Sequence, residues 1–469
     1  MKKLIFILLL LLPIVGFAQQ PWFKYSPMDY AWKNVGNAGF SEGQAVYTSL
    51  AFSPLDDNPY VAYMNVSAGL SYVNCMKFNG TAWVYVGQHN ISDWEAGWIN
   101  LAFNLSGQPY LAYEDWLYWT GHATVKKLAG NTWVTVGDSL FSAGECDFTS
   151  LAISPASGQP YVAFQDGADS VKVTVMNFDG TNWVYVGKQG FTPYGASYTS
   201  LAFCPTDDYL YLAFVDYGNS DYYDNASVMR FYDGVWEYVG NPGFSAGTVC
   251  YTSLAFSPSG QPYVAYMDYV YSFKVTVMKF DGTSWVYVGS PGFSDGAAYF
   301  ESLAFSPSGQ LYVAFADTVN SWKATVMTFD GTNWVYVGTK DFSTGMALYT
   351  SLAINPSDNQ PNVAYEDFAK SQKATVMKYD SVFVGINERQ GSRFTLYPNP
   401  AKDKCNVQCA KCNIKNIQIF DLTGETVYDA DFSSGTDDSV EVSFDLPAGV
   451  YFVKITDEKG MSVQKMVVE

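Results

Sequence analysis

Between residues 30 and 385 the chain alternates short apolar runs with brief polar stretches of Gly, Ser, Pro and Asp. The runs are of four kinds. The first carries Ser-Leu-Ala-Phe or a close variant and recurs at Ser49, Asn100, Ser150, Ser200, Ser253, Ser302 and Ser351. The second, Tyr-Val-Ala-Tyr, begins at Tyr60, Tyr110, Tyr161, Tyr211, Tyr263, Tyr312 and, with a changed first residue, Asn362. The third, Lys-Val-Thr-Val-Met-Lys-Phe at Lys274, has counterparts at Lys172, Lys323 and Lys373. The fourth, Trp-Val-Tyr-Val-Gly, is anchored by Trp32, Trp83, Trp133, Trp183, Trp236, Trp285 and Trp334. Each run is short, β-branched and aromatic, so each predicts a strand, apolar on both faces as in a sheet covered on each side.

Turn chemistry separates the strands. Ser257-Pro-Ser-Gly-Gln-Pro262 links the first to the second. Asp281-Gly282 links the third to the fourth and recurs at Asp179-Gly180, Asp233-Gly234 and Asp330-Gly331; Gly accepts the positive φ that tight hairpins demand. Four antiparallel strands in about 50 residues, seven times over, predict an all-β protein whose residues 19–385 form a seven-bladed β-propeller. The Trp32 run has no first three strands before it, and the last repeat has Ser381 where Trp should stand. The Trp32 strand is therefore expected to complete the seventh blade and latch the ring.

Ser253-Leu-Ala-Phe-Ser-Pro-Ser-Gly260 with Tyr263-Val-Ala-Tyr-Met-Asp268 resembles the first two strands of WD-repeat blades, without their Gly-His and Trp-Asp pairs. The period resembles that of kelch repeats, but their Gly-Gly pair is missing. Asp281-Gly-Thr-Ser-Trp285 resembles a sialidase Asp-box one residue short, and a propeller with one Arg, Arg230, has no Arg triad. These likenesses imply an architecture and no particular activity.

The chain opens with Lys2 and Lys3, then an apolar run from Leu4 to Ala18, with Gly16 and Ala18 at the −3 and −1 positions of a cleavage site before Gln19. Residues 1–18 thus read as a secretory signal peptide, and no other apolar run is long enough for a membrane span, leaving no transmembrane segment in the mature chain. Seven Cys remain, odd in number and irregular in spacing, which is no disulfide framework. Cys405, Cys409 and Cys412 have the C-x3-C-x2-C spacing of iron–sulfur enzymes that use S-adenosylmethionine. An exported, strand-rich tail with no βα pattern excludes that reading.

Residues 386–392 read as a polar linker, and residues 393–469 as a separate strand-rich module. The module carries Tyr397-Pro398-Asn399-Pro400, then Ile419-Phe-Asp421-Leu-Thr-Gly424, then Leu446-Pro447-Ala-Gly449-Val-Tyr-Phe-Val-Lys454, and ends on Lys465-Met-Val-Val468. In order and spacing it resembles the type A C-terminal sorting domain of type IX secretion substrates. That resemblance implies export across the outer membrane by the type IX machinery, removal of the tail, and release of the cargo or its attachment to the cell surface. Alternation such as Val440-Glu-Val-Ser-Phe444 independently predicts a small antiparallel sandwich.

Charge narrows the partners. With 45 acidic against 26 basic residues and a net charge of −19, nucleic acid and anionic lipid are excluded as ligands. Two His, His89 and His122, leave almost nothing from which to build a His-rich metal site or a Ser-His-Asp triad.

The face holding the loops into the first strand and between the second and third strands varies from blade to blade, and a variable loop face on a repeated scaffold is the expected binding surface. Second strands end there in Asp115, Asp166, Asp216, Asp268, Asp317 and Asp367, with Asn65 in the first blade. Such a rim could hold calcium or accept sugar hydroxyls, or each Asp could cap its own loop. The adjoining loops carry Trp116, Tyr118, Trp119, Tyr217, Tyr222, Tyr223, Tyr269, Tyr271 and Trp322, ring surfaces suited to stacking on sugars or to filling gaps between blades. The Trp of each fourth strand, and Phe40, Phe141, Phe191, Phe244, Phe293 and Phe342, read as packing. Glu114-Asp115 and Glu366-Asp367 are paired acids, but neighbours on a strand face opposite ways, so neither pair is by itself catalytic. No cofactor is called for beyond that possible calcium. The expectation is an exported binding protein for glycan or a surface protein; its alternatives are a glycoside hydrolase or lyase and a purely structural or adhesion protein.

Overall fold

The computed structural model describes residues 29–67, 69–118, 120–218, 224–382, 394–409, 414–421, 425–436, 439–457 and 460–469. The expected signal peptide with Ala18 and Gln19, the expected linker, Trp119, Tyr222, Tyr223, Cys412 and Gly424 lie outside them. The chain divides into two units, Tyr30–Asp380 and a C-terminal one that begins at Ser381.

The first unit is seven four-stranded antiparallel sheets, each made of four strands consecutive in sequence except the last. Blade 1 spans residues 44–85, blade 2 95–135, blade 3 146–185, blade 4 196–238, blade 5 249–287 and blade 6 298–336. Blade 7 takes three strands from residues 347–382 and its outer strand from Asp29–Asn34 at the other end of the propeller. The first strand of each blade lies against those of both neighbours, and the circle closes between blades 7 and 1. This is a seven-bladed β-propeller.

Three repeated contacts explain the repeated residues. The Ser of Ser-Leu-Ala accepts a hydrogen bond from the Leu N–H of the next blade, as in Ser49 with Leu101, Ser253 with Leu303 and Ser351 with Leu50. Each Trp indole N–H donates to a Val carbonyl of the preceding blade at 2.6–2.8 Å, and Trp32 to Val337 completes the circle. The Phe of the loop entering a blade stacks nearly parallel on that blade's Trp, with centroids 3.9–4.4 Å apart in six blades. In blade 2 Ile91 takes the place of Phe and packs with Trp133. Between blades lie apolar layers of Val, Ala, Leu and aromatic side chains.

The second unit packs a three-stranded sheet (Phe394–Tyr397, Lys404–Cys409, Ser439–Ser443) and a four-stranded sheet (Thr426–Thr436, Ile414–Phe420, Gly449–Asp457, Gly460–Val468) around Phe394, Val407, Ile417, Ile419, Val453 and Met466. Five Cys among the described residues, Cys75, Cys146, Cys204, Cys250 and Cys405, are free. No helix among the described residues is long and apolar enough to cross a membrane.

Candidate functional site

Every first strand is broken by a bulge two residues before its Ser or Asn, as between Val46 and Ser49 or Cys250 and Ser253. The bulged residue is always aromatic and always at positive φ: Tyr47, Trp98, Phe148, Tyr198, Tyr251, Phe300 and Tyr349. A non-glycine residue takes that conformation only where its surroundings fix it. Here the surroundings are the other six. Ring centroids of neighbouring blades are 4.5–5.3 Å apart all the way round, with Tyr349 returning to Tyr47 at 4.8 Å. The result is an annulus of seven aromatic rings, which borders a cavity of about 240 Å³.

The residue after each aromatic forms a second tier of the same cavity. In five blades it is Thr, whose hydroxyl donates to the carbonyl of the preceding blade's aromatic: Thr48, Thr149, Thr199, Thr252 and Thr350. Blade 2 has Ile99 and blade 6 has Glu301. Glu301 is buried and neither carboxyl oxygen has a hydrogen-bond partner of ordinary geometry. Burial pushes its carboxyl well above the usual range, against a smaller lowering by its own N–H.

The six Asp residues of the expected rim are inside the blades, at most 5% exposed. One oxygen of Asp166, Asp216, Asp268, Asp317 and Asp367 accepts the N–H two residues on. In four of these the other oxygen accepts a hydroxyl from the third strand, for example Thr174 to Asp166 at 2.7 Å and Thr375 to Asp367 at 2.8 Å. Asp115 accepts the Trp94 N–H at 3.1 Å, and Asn65 accepts that of Gly43 at 2.9 Å. These groups hold the loops and do not form an open carboxylate rim. Among the described residues no group of three His, Cys, Asp or Glu side chains is placed to hold a metal ion.

The aromatic candidates scatter. Tyr217 is half-buried against Gln165, Trp322 packs on Tyr299, and Tyr269 is exposed beside Phe273. Tyr271 is half-buried. Trp116 and Tyr118 are different. The ladder between the second and third strands of blade 2 runs on past Asp115 to Leu117 and Thr120, whereas in blades 3 to 7 it stops at the Asp. The ladder of blade 1 is extended likewise, as far as Ser67 and Leu70, without aromatics at its tip. Trp116 is 40% and Tyr118 84% exposed. Trp94, which sequence reasoning missed, is 45% exposed, with its ring 6.3 Å from that of Tyr118.

Beneath Trp116 lies Glu114. A side chain on either flanking glycine would collide with it: a Cβ on Gly121 would stand 1.9 Å from its Oε1, and one on Gly97 3.0 Å from its Oε2. Burial pushes the Glu114 carboxyl up to about 8; the Trp116 indole pulls it down, while Asp147 and Glu145 of blade 3 raise it further. Asp147 is itself raised, first by burial and then by Glu145. Glu366 in blade 7 is pushed up to about 7 by burial, with Gln372 opposing. Asp115 faces the opposite way from Glu114 and is pushed up to about 6 by burial and Asp93, against the Trp94 N–H and Lys126.

Residues 395–469 match the family described as the secretion system C-terminal sorting domain. The tail is a type IX sorting domain. Its two ends meet: the Asn399 side chain donates to the Lys465 carbonyl at 2.9 Å and accepts the Val467 N–H at 2.8 Å, joining Tyr-Pro-Asn-Pro to the last strand. The Tyr451 hydroxyl donates to the Pro447 carbonyl, and Asp421 accepts the Glu425 N–H. The sorting domain marks the chain for export through type IX secretion to the cell surface or extracellular space. An endo-acting ulvan lyase of Formosa agariphila is 26% identical over 89 residues, 19% of this chain and 17% of the lyase, so the chain matches about a sixth of that protein's length. In structure the chain is similar to an alpha-L-arabinanase of Penicillium chrysogenum (12% identity, 61% of this chain and 93% of that one, TM-score 0.42). It is also similar to a protein of unknown function from Dyadobacter fermentans (11% identity, 75% and 99%, TM-score 0.44).

Proposed function

We propose that the exported propeller is a glycan-binding protein that takes its ligand on the extended hairpin of blade 2. The observation that carries this reading is the exposure of Trp94, Trp116 and Tyr118 together, beside the carboxyls of Asp93 and Glu114. Rings that offer an apolar face next to hydrogen-bonding groups match a sugar, which has C–H faces and a hydroxyl edge. Glu114 at about 8 holds a proton at neutral pH, a neutral buried acid directly beneath the exposed rings. One observation favours a second reading. Asp147 of blade 3 adds to the raised proton affinity of Glu114 in blade 2, and its own is raised too, as for a general acid and its partner in a glycan-cleaving enzyme.

The test is a polysaccharide and glycan array probed with the full exported chain. Binding reduced about tenfold or more by Trp116→Ala with Tyr118→Ala, at unchanged thermal stability, is expected. A shortened bound glycan that stays intact with Glu114→Gln would move the assignment to the enzyme. A blank array, with a protein captured from the cell surface through the same two residues, would replace glycan by protein as the ligand.

A further inference from the structure

We propose that the propeller's central cavity binds a hard metal cation, with Glu301 as its carboxylate ligand. The cavity wall is an acceptor surface. The Thr hydroxyls of the second tier give their protons to main-chain carbonyls, so the lone pairs they have left are what they can offer the cavity. Into this tier blade 6 puts Glu301, flanked round the ring by Thr252 of blade 5 and Thr350 of blade 7. Its position is the Thr position of five other blades, where the side chain bonds the preceding aromatic's carbonyl. Glu301 makes no such bond, is only 7% exposed, and leaves two carboxyl oxygens without partners.

An isolated buried acid costs stability unless something satisfies it. Nothing in the wall donates to it, and a cation needs no donor. Hydroxyl and carboxylate oxygens are the ligands that calcium and sodium take, with water filling the remaining positions. A transition metal would want the nitrogen or sulfur donors that this tier lacks.

The test compares the chelator-treated full chain with Glu301→Gln and Glu301→Thr. The Thr variant installs the residue of the other blades and restores a hydroxyl opposite the Tyr251 carbonyl, so its fold is secure. Equilibrium dialysis with radioactive calcium should find one ion per chain in the parent and binding at least about tenfold weaker in both variants. Thermal unfolding should rise with calcium in the parent alone. A parallel arm replaces sodium with choline; loss of stability there, in the parent alone, would identify the ion as sodium. Equal responses of parent and Glu301→Thr in both arms would overturn the proposal and leave Glu301 a neutral acid.

Discussion

In blade 5 the Thr252 hydroxyl reaches the Tyr198 carbonyl, and the Tyr266 hydroxyl lies 3.0 Å from the Met278 sulfur. In blade 2 the same places hold Ile99 and Lys126, and the Tyr113 hydroxyl that would face Met is buried without a partner. Lys126 is itself buried, giving its protons to the Ile91 carbonyl at 2.8 Å and to Asp93 at 3.0 Å. Where blade 5 has Met267 and Cys250, blade 2 has Glu114 and Gly97. The two blades share a backbone and differ in polarity. Blade 5 holds what the ring needs, whereas blade 2 carries polar groups that the ring does not need and that cost it stability. Such departures from a locally consistent pattern gather at functional sites.

Three sets of substitutions would break or sharpen that contrast. The largest effect belongs to the shared frame. Trp285→Ala in blade 5 and Trp133→Ala in blade 2 should each lower stability by about 3–5 kcal/mol in urea unfolding, since both lose a buried ring and a bond to the preceding blade. A mild effect at Trp133 alone would place blade 2 outside the frame.

Next comes the room made for Glu114. Gly121→Ala should cost about 1–3 kcal/mol, because its Cβ would meet Glu114 Oε1 at 1.9 Å and Cγ at 2.4 Å. In a Glu114→Ala background the same change should cost almost nothing. Equal costs in both backgrounds would show that the glycine serves the backbone and not the acid.

The gentlest test is pH. Glu114 is pushed from a usual value near 4.5 to about 8, so the folded chain holds a proton that the unfolded chain has released. Its contribution is complete below about 4.5 and is lost as pH climbs towards 8, with a slope of at most about 1.4 kcal/mol per pH unit. Glu114→Gln should flatten that slope, and Glu366→Gln a narrower one ending near 7. Met267→Gln, at the matching site of blade 5, should leave the pH profile unaltered.

The architecture was readable because each blade repeats the same contacts: an indole meeting a Val carbonyl seven times over leaves a Trp every 50 residues or so. The latch was readable from one Trp strand too many at the start and one too few at the end. The role of the Asp residues was left open between a ligand-binding rim and loop caps, because one sequence cannot tell a carboxylate that binds a ligand from one that caps its own loop. The annulus was missed for another reason. Alternation assigns Tyr47 or Phe300 to a face only while the strand is regular, and a bulge at that residue turns it. The signal was an aromatic placed two residues before Ser or Asn in all seven repeats. Glu301 was legible too, as the one acid in a column otherwise of Thr and Ile, but a buried position gave no reason to inspect it. Trp94 sits in a loop that no repeat pattern singles out.

Blade 7 draws its outer strand from residues 29–34 and the other three from residues 347–382. Six blades can form from neighbouring stretches of chain as those emerge, each a local event. The seventh must bring together groups as distant as Trp32 and Val337, 305 positions apart, and the entropy of closing so long a loop sets its rate. Ring closure is then the slow, final step of folding, and until it occurs the third strand of blade 7, Lys373–Val382, keeps an edge open to pairing with another chain.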